Sequence, residues 1–109
     1  MEDNSIPVQL IVYCKNMKNP KVQRPRFDQT IKDGFWSLVK HKDAIQHENQ
    51  SVTTTTEWSR NFQSQMSQKQ IIKKTRNLIV RAAKYADILD LNFTISTANS
   101  PAETFSHQT

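Results

Sequence analysis

Residues 60–86, RNFQSQMSQKQIIKKTRNLIVRAAKYA, form the stretch on which the expected fold of this chain depends. The stretch carries seven basic side chains and no acidic one. The basic residues are Arg60, Lys69, Lys73, Lys74, Arg76, Arg81 and Lys84. On a helical wheel the basic side chains at 69, 73, 76 and 84 fall on one side, opposite an apolar side made by Ile71, Ile72, Leu78, Ile79, Ala82, Ala83, Ala86 and Leu89. The pattern predicts an amphipathic helix that buries one face and presents the other to negative charge, most commonly a nucleic-acid backbone.

Composition limits the chain to one domain with a small core. It has 109 residues, of which 36% are hydrophobic, and a mean hydropathy of −0.70. The net charge of +5 favours an acidic partner, and because no run approaches the length of a membrane span, we expect a phosphate-rich partner and no membrane. The single cysteine, Cys14, can make neither an internal disulfide nor a four-ligand metal site.

The N-terminal part predicts a strand followed by a basic arm. Residues 6–13 are rich in β-branched and apolar side chains and favour a short strand or extended segment. The segment from Cys14 to Arg26 contains Pro20 and Pro25 and no acid. Its basic residues are Lys15, Lys18, Lys21, Arg24 and Arg26. We expect an extended arm over residues 1–26 that gains order by lying on nucleic acid, the alternative being a solvated loop.

Two helices are expected in the remainder. The first begins near Phe27 with Asp28 as its cap, although Asp33-Gly34 could instead turn a hairpin whose partner strand is residues 51–58. The second starts between Glu57 and Ser67, with Ser67 as an alternative N-cap, and ends near residue 90. Residues 91–97 are expected to be extended. The prediction is therefore a mainly α fold: a small helical domain over residues 27–97 with a long basic amphipathic C-terminal helix, an extended basic N-terminal arm, and a polar tail over residues 98–109.

Catalytic and metal-binding patterns are sparse. His41, His47 and His107 lie among polar neighbours with no acid or cysteine at ligand spacing, which is typical of surface histidines. A chain whose only glycine is Gly34 cannot build a glycine-rich phosphate loop. We therefore expect no enzyme, no cofactor, no metal and no small-molecule substrate. The large aromatic residues favour core or protein contacts over base stacking; they are Phe35, Trp36, Trp58 and Phe62.

Residues 74–93, KTRNLIVRAAKYADILDLNF, resemble the signature helix of the bacterial-type small-subunit ribosomal protein eighteen family, whose pattern is close to L-x-x-A-I-K-x-A-R-x-L-x-L-L-P-F. With one residue dropped before the final aromatic, the matching positions are Leu78, Ala82, Lys84, Ala86, Leu89, Leu91 and Phe93. Asp28, Phe35, Leu38, Val39 and Ile45 are similar in spacing to the first helix of that family. The chain departs from the pattern at Asp43, Asp87 and Asn92, and it carries an insertion at about residues 46–72.

The resemblance implies a structural constituent of the small subunit of an organellar ribosome, mitochondrial before plastid or cytoplasmic. Its partners would be ribosomal RNA and neighbouring small-subunit proteins, protein six among them. The basic residues of the arm and of the second helix would contact RNA: Lys15, Lys18, Lys21, Arg24, Arg26, Lys69, Lys73, Lys74, Arg76, Arg81 and Lys84. Protein contacts are expected at Phe35, Trp36, Leu38, Leu78 and Leu89.

Two other classes of protein fit the same residues. One is a small viral or phage regulator that binds nucleic acid on its own. The other is an accessory subunit of a large organellar membrane complex that uses the second helix for protein contacts alone. Sedimentation with a particle that RNase destroys would separate the ribosomal interpretation from both.

Overall fold

The computed structural model describes residues 5–16, 24–46, 48, 51–88, 90–97 and 100–108. The elements follow in the order β1 (Ile6–Asn16), α1 (Arg24–Asp33), β2 (Ser37–Gln46), β3 (Ser51–Phe62), α2 (Gln68–Tyr85), β4 (Asp90–Thr97) and β5 (Ser100–Gln108). All strand pairs are antiparallel, and the sheet order is β2-β3-β1-β4-β5. The first six elements have the β-α-β-β-α-β order of the ferredoxin-like fold, to which β5 adds an edge strand.

One face of the sheet is buried beneath the two helices. Along β1 the side chains of Val8, Leu10, Val12 and Cys14 are buried, while the residues between them are exposed. This alternation is the two-residue period of a strand with one covered face. Both helices contribute to the same core through residues at helical spacing, such as Phe27 and Ile31 of α1.

The dominant helix follows its sequence pattern closely. α2 begins after Ser67, whose side chain accepts a hydrogen bond from the Gln70 backbone while the Gln70 side chain accepts one from the Ser67 backbone. This capping box satisfies two amide groups that a helix start otherwise leaves open. Six of the eight residues expected on the apolar face are buried: Ile71, Leu78, Ile79, Ala82, Ala83 and Ala86. Ile72 is half-buried, and Leu89 lies outside the described residues.

The expected mainly helical fold is wrong. Residues 37–46, placed in a first long helix by their apolar spacing, form the edge strand β2, and α1 ends at Asp33. The alternative partner strand at residues 51–58 lies in β3 and does pair with β2. The N-terminal arm contains β1, which is the middle strand of the sheet, and the polar tail contains β5. None of the helices in the described ranges is long and apolar enough to cross a membrane.

In the bend between α1 and β2, the residue with a positive φ is an aromatic one. The left-handed backbone conformation lies at Phe35, with φ of 71°, and not at the neighbouring Gly34. A Cβ atom at Gly34 would lie 2.7 Å from Cδ2 of Leu78 and 3.3 Å from the backbone oxygen of Ile31, so a larger residue there would require the end of the Leu78 side chain to shift. The phenyl ring of Phe35 is 79% exposed. An exposed aromatic residue therefore carries backbone strain at this bend.

Candidate functional site

Five residues form a row across one end of the sheet, on the face that the helices cover. Asp43 pairs with Thr54, Thr54 with Cys14, Cys14 with Leu91, and Leu91 with His107. Cys14, Thr54 and Leu91 are buried, so side chains in register with them point to the helical side. Cross-strand pairing thus gathers polar groups that are far apart in the sequence.

Asp43 is the carboxylate of this row, and it accepts hydrogen bonds from its neighbours. The Thr54 hydroxyl donates to its Oδ1 at 2.8 Å, and Nε2 of His41 lies 3.1 Å from the same oxygen. These hydrogen bonds lower the pKa of Asp43, that from Thr54 most strongly. Asp43 therefore presents a stable negative charge at a half-exposed position.

Helix α1 supplies two further charged groups. Arg24 and Asp28 are one helical turn apart and both are partly buried. Burial raises the pKa of Asp28, an effect that the positive charges of Arg24, His41 and Lys32 oppose. Burial likewise raises the pKa of the Cys14 thiol, which interacts with the Arg24 guanidinium. We call Cys14, Arg24, Asp28, His41, Asp43 and Thr54 the polar end.

Unsatisfied polar atoms are concentrated around this part of the fold. In the described residues, four buried side-chain nitrogen or oxygen atoms have no hydrogen-bond partner: Arg24 Nη1, Asp28 Oδ1, Trp36 Nε1 and His107 Nε2. Arg24 and Asp28 belong to the polar end, and His107 lies in the same cross-strand row. A buried polar atom without a partner is costly and is often satisfied by a ligand or water. The polar end is thus equipped to bind a molecule that carries both positive and negative groups.

A second candidate site lies towards the other end of β3, on the same covered face of the sheet. A cavity of about 290 Å³ is lined by Trp36, Arg60, Phe62, Lys74, Thr75, Asn77, Leu78 and Arg81. We call it the basic pocket. Its lining includes three cationic side chains and no acidic one. Trp36 is only 3% exposed, and it packs edge-on against Phe62 with ring centroids 5.9 Å apart.

Arg60 is fixed in the wall of the basic pocket. Its guanidinium donates to the backbone oxygen of Gly34 at 2.9 Å and lies 4.2 Å from the ring centroid of Phe62. Burial lowers the pKa of Arg60 from its usual high value. A second basic groove, of about 490 Å³, lies along α2 and includes Glu103.

The residues expected to bind RNA are dispersed. The six on α2 are all exposed: Lys69, Lys73, Lys74, Arg76, Arg81 and Lys84. Lys74 and Arg81 line the basic pocket, whereas Lys69, Lys73 and Arg76 line the groove beside Glu103. In the N-terminal part, Lys15 and Arg26 are exposed and Arg24 lies in the polar end, while Lys18 and Lys21 fall outside the described residues.

The residues expected to contact a protein neighbour are also divided. Trp36 and Leu78 are buried in the core, whereas Phe35 and Leu38 are exposed. Leu89 lies outside the described residues. Whether any of these side chains contacts a partner stays a prediction.

Sequence reasoning missed the polar end because β2 was expected to be helical. His41 and Asp43 are two residues apart, which on a strand places them on one face but on a helix separates them. Asp28 was assigned only a capping role. In the described ranges no group of three histidine, cysteine or acidic side chains is arranged to hold a metal ion.

Comparison with known proteins finds likeness in structure alone. No protein-family profile and no curated protein matches the sequence. A ligand-free structure of a phage SAM lyase matches 100% of this chain and 95% of its own chain, with a TM-score of 0.65 and 11% identity. A phage SAM lyase in complex with S-methyl-5'-thioadenosine matches 100% of this chain and 93% of its own, with a TM-score of 0.62 and 12% identity.

These findings overturn the ribosomal interpretation. The resemblance to ribosomal protein eighteen is wrong, because neither profiles nor curated proteins support it and the fold is that of an unrelated class. The expected ribosomal RNA and ribosomal protein partners are likewise wrong, since the structural neighbours are named for small molecules. The expectation of no enzyme, drawn from the sparse catalytic patterns, is also contradicted, because a structural neighbour of nearly the same length is an enzyme. Over its whole length, the chain is similar in fold to a phage SAM lyase.

Proposed function

We propose that this protein is a lyase that cleaves S-adenosylmethionine and releases S-methyl-5'-thioadenosine. The observation that carries the proposal is the match of fold over the full length of this chain to two structures of a phage SAM lyase, one of them holding that thioether. The alignment spans the whole of this chain and at least 93% of each neighbour.

The polar end suits the charges of this substrate. S-adenosylmethionine carries a sulfonium and an ammonium, which are positive, and one carboxylate. Asp28 and Asp43 supply negative charge for the positive groups, and Arg24 supplies a partner for the carboxylate. The basic pocket is less suitable, because its three cationic side chains repel a sulfonium.

The reaction needs no second reagent. The bond between the sulfonium sulfur and Cγ of the aminobutyrate group breaks, and sulfur keeps the electron pair and becomes a neutral thioether. Cγ, which loses its bonding electron pair to sulfur, gains a new bond in one of two ways. Either a base removes a proton from Cβ and a double bond forms between Cβ and Cγ, or the substrate's own carboxylate attacks Cγ and closes a lactone.

Asp28 is the residue assigned to the base of the first route. Its raised pKa makes it a stronger proton acceptor than an ordinary aspartate, and its buried Oδ1 has no partner in the protein. In the second route Asp28 instead faces the positive groups of the substrate. The amino-acid product, unsaturated or lactone, distinguishes the two.

The test is incubation of purified protein with S-adenosylmethionine, with both products followed by mass spectrometry. We expect S-methyl-5'-thioadenosine to appear in proportion to protein, and Asp28→Asn and Asp43→Asn to reduce its rate at least about tenfold. Asp33→Asn is the matched control. It makes the same change at an exposed position of α1, where the amide oxygen can still accept the hydrogen bond from Gln29.

Two outcomes would count against the proposal at different levels. If the protein neither forms nor binds S-methyl-5'-thioadenosine, the lyase function is wrong. If it forms the thioether at an unchanged rate in both Asp28→Asn and Asp43→Asn, the function stands and its assignment to the polar end is wrong.

A further inference from the structure

The basic pocket lies too far from the polar end to share one small substrate with it in the same chain. Arg60, in the pocket wall, is six residues beyond Thr54 on β3 (Ser51–Phe62). At about 3.3 Å per residue the two positions are about 20 Å apart. A ligand of the basic pocket would therefore be a different molecule from the one bound at the polar end.

The charge of the lining defines that occupant as an anion. Lys74 and Arg81 are seven residues apart on α2 and thus lie on the same side of the helix, and Arg60 faces them from β3. No acidic side chain lines the cavity to neutralise them. Three cationic groups around one small cavity match a dianion better than a single carboxylate.

Trp36 provides an independent indication of a ligand. Trp36 lines the cavity, only 3% of its surface is exposed, and its Nε1 has no hydrogen-bond partner. The other tryptophan, Trp58, is also buried, but its Nε1 donates to the Thr56 hydroxyl at 2.9 Å. Because a buried indole N–H normally finds an acceptor, the Trp36 donor is an unsatisfied polar group on a residue that lines the cavity.

Two features hold the pocket ready for such a molecule. The contacts of Arg60 with the Gly34 oxygen and the Phe62 ring fix its guanidinium before any ligand arrives. The rings of Trp36 and Phe62 meet edge-on, with an interplanar angle of 67°, and form an apolar part of the cavity wall. A volume of about 290 Å³ is at the lower end of ligand cavities and admits one ring system with one charged group.

We propose that the basic pocket is a second ligand site, separate from the polar end, that binds a small molecule carrying a phosphate group beside an aromatic ring. The phosphate oxygens accept from Arg60, Lys74, Arg81 and the Trp36 indole. The ring lies against Trp36 and Phe62. The proposal does not depend on the lyase reaction, since it rests on other residues at another end of the fold.

Adenosine monophosphate is the probe, with adenosine and inorganic phosphate as its two halves. The chain has two tryptophans, so a ¹⁵N-labelled protein gives two indole N–H signals. We expect the monophosphate to shift the Trp36 signal and leave the Trp58 signal in place, because only the former lacks an acceptor. Inorganic phosphate should produce the same shift at higher concentration, and adenosine should bind at least about tenfold more weakly than the monophosphate.

Two double variants distinguish a defined binding site from non-specific attraction of an anion by the basic helix. The double variant Lys74→Gln/Arg81→Gln should weaken binding of the monophosphate at least about tenfold. The matched control, Lys69→Gln/Lys84→Gln, removes two charges from exposed positions of the same helix outside the cavity and should weaken binding less than about threefold.

Each of four results would overturn the proposal. The Trp36 signal could stay in place at a monophosphate concentration that saturates binding. Adenosine could bind as tightly as the monophosphate, which would exclude phosphate recognition. Both double variants could lose affinity equally, which would leave only a diffuse charge effect. S-methyl-5'-thioadenosine could shift the Trp36 signal, which would make the pocket part of the substrate site.

Discussion

Phe35 sets the first prediction at the scale of single residues, because its left-handed φ of 71° is unfavourable for a bulky side chain. Its ring is 79% exposed, so little buried area is lost when it is replaced. Asparagine tolerates this conformation and a β-branched residue does not. We expect Phe35→Asn to raise the free energy of unfolding by about 0.5 kcal/mol and Phe35→Val to lower it by about 1 kcal/mol. Urea denaturation measures both, and equal effects of the two changes would exclude strain as the cause.

Asp28 sets a prediction about pH. Its carboxyl pKa is raised above the ordinary 3.8 chiefly by burial, so the folded state holds a proton in a range where the unfolded state has lost it. The associated stability is present below the unfolded pKa and is lost as the pH rises through the folded pKa. Asp28→Asn should therefore raise the melting temperature at pH 7 relative to wild type and have less effect at pH 3. A lower melting temperature for the variant at pH 7 would contradict this sign.

A carboxylate that costs stability at neutral pH is consistent with a functional role. Residues of a reactive site are often retained although a neutral isostere would make the fold more stable. Under the proposed lyase function, the rate of thioether formation should fall as the pH is lowered through the raised pKa of Asp28, because the protonated form is neither a base nor a negative charge.

At the scale of elements, α2 depends on one buried face. Leu78 is 8% exposed and lies close against Gly34. Leu78→Asp places an unpaired charge in the core and should lower the free energy of unfolding by about 3 kcal/mol. The control is Asn77→Asp, one residue earlier and exposed, which should change it by less than about 0.5 kcal/mol. Similar losses in the two variants would show that charge on the helix, and not burial, is responsible.

Helix α2 could be predicted from sequence because all its signals are local. A 3.6-residue apolar period and a Ser67–Gln70 capping box act within a few residues, whatever the rest of the chain does. β2 could not, because Phe35, Leu38 and Val39 have helical spacing although all three side chains are exposed. Strand β5 was equally hidden. Its residues 101–104 are polar or small and exposed, and it forms only because β4 offers an unpaired edge.

The candidate site was missed for the same physical reason. The row that contains the polar end is assembled by cross-strand register, so that Asp43, Thr54, Cys14 and His107 fall into line only after all five strands are correctly aligned. The basic pocket was partly visible, since Lys74 and Arg81 were singled out on α2. Its opposite wall, Arg60 and Trp36, comes from other elements whose position no local pattern gives.

At the scale of the whole molecule, a basic amphipathic helix proved insufficient to define a family. The stretch at residues 74–93 that resembles a ribosomal helix is helical only to Tyr85, and its final matched positions, Leu91 and Phe93, belong to β4. The same apolar letters there serve a strand with alternating burial. The period of the pattern changes within the matched segment, and a residue-by-residue match does not register that change.

Strand β5 covers the edge of β4, and this pairing is the basis of the last stability prediction. Phe105 stacks on Phe93 with ring centroids 5.3 Å apart, and the Arg76 guanidinium lies 4.9 Å from the centroid of the Phe105 ring. Ending the chain before residue 100 should leave β4 as an open edge, lower the stability and promote self-association. Sedimentation and urea denaturation of the truncated and full-length proteins test this. Full-length Glu103→Gln, which keeps the strand, is the control, and a truncated protein that stays monomeric with unchanged stability would exclude a protective role.

The rate at which a reagent labels the buried Cys14 thiol would measure movements of the polar end. The side chain is 0% exposed, and burial raises its pKa, so both access and thiolate formation limit attack by a disulfide reagent. In the native protein the labelling rate consequently reports how often the sheet and α1 separate at that end. A substrate that docks between Arg24 and Asp43 would hold these parts together and lengthen the labelling time. This protection would be measurable without any chemical turnover.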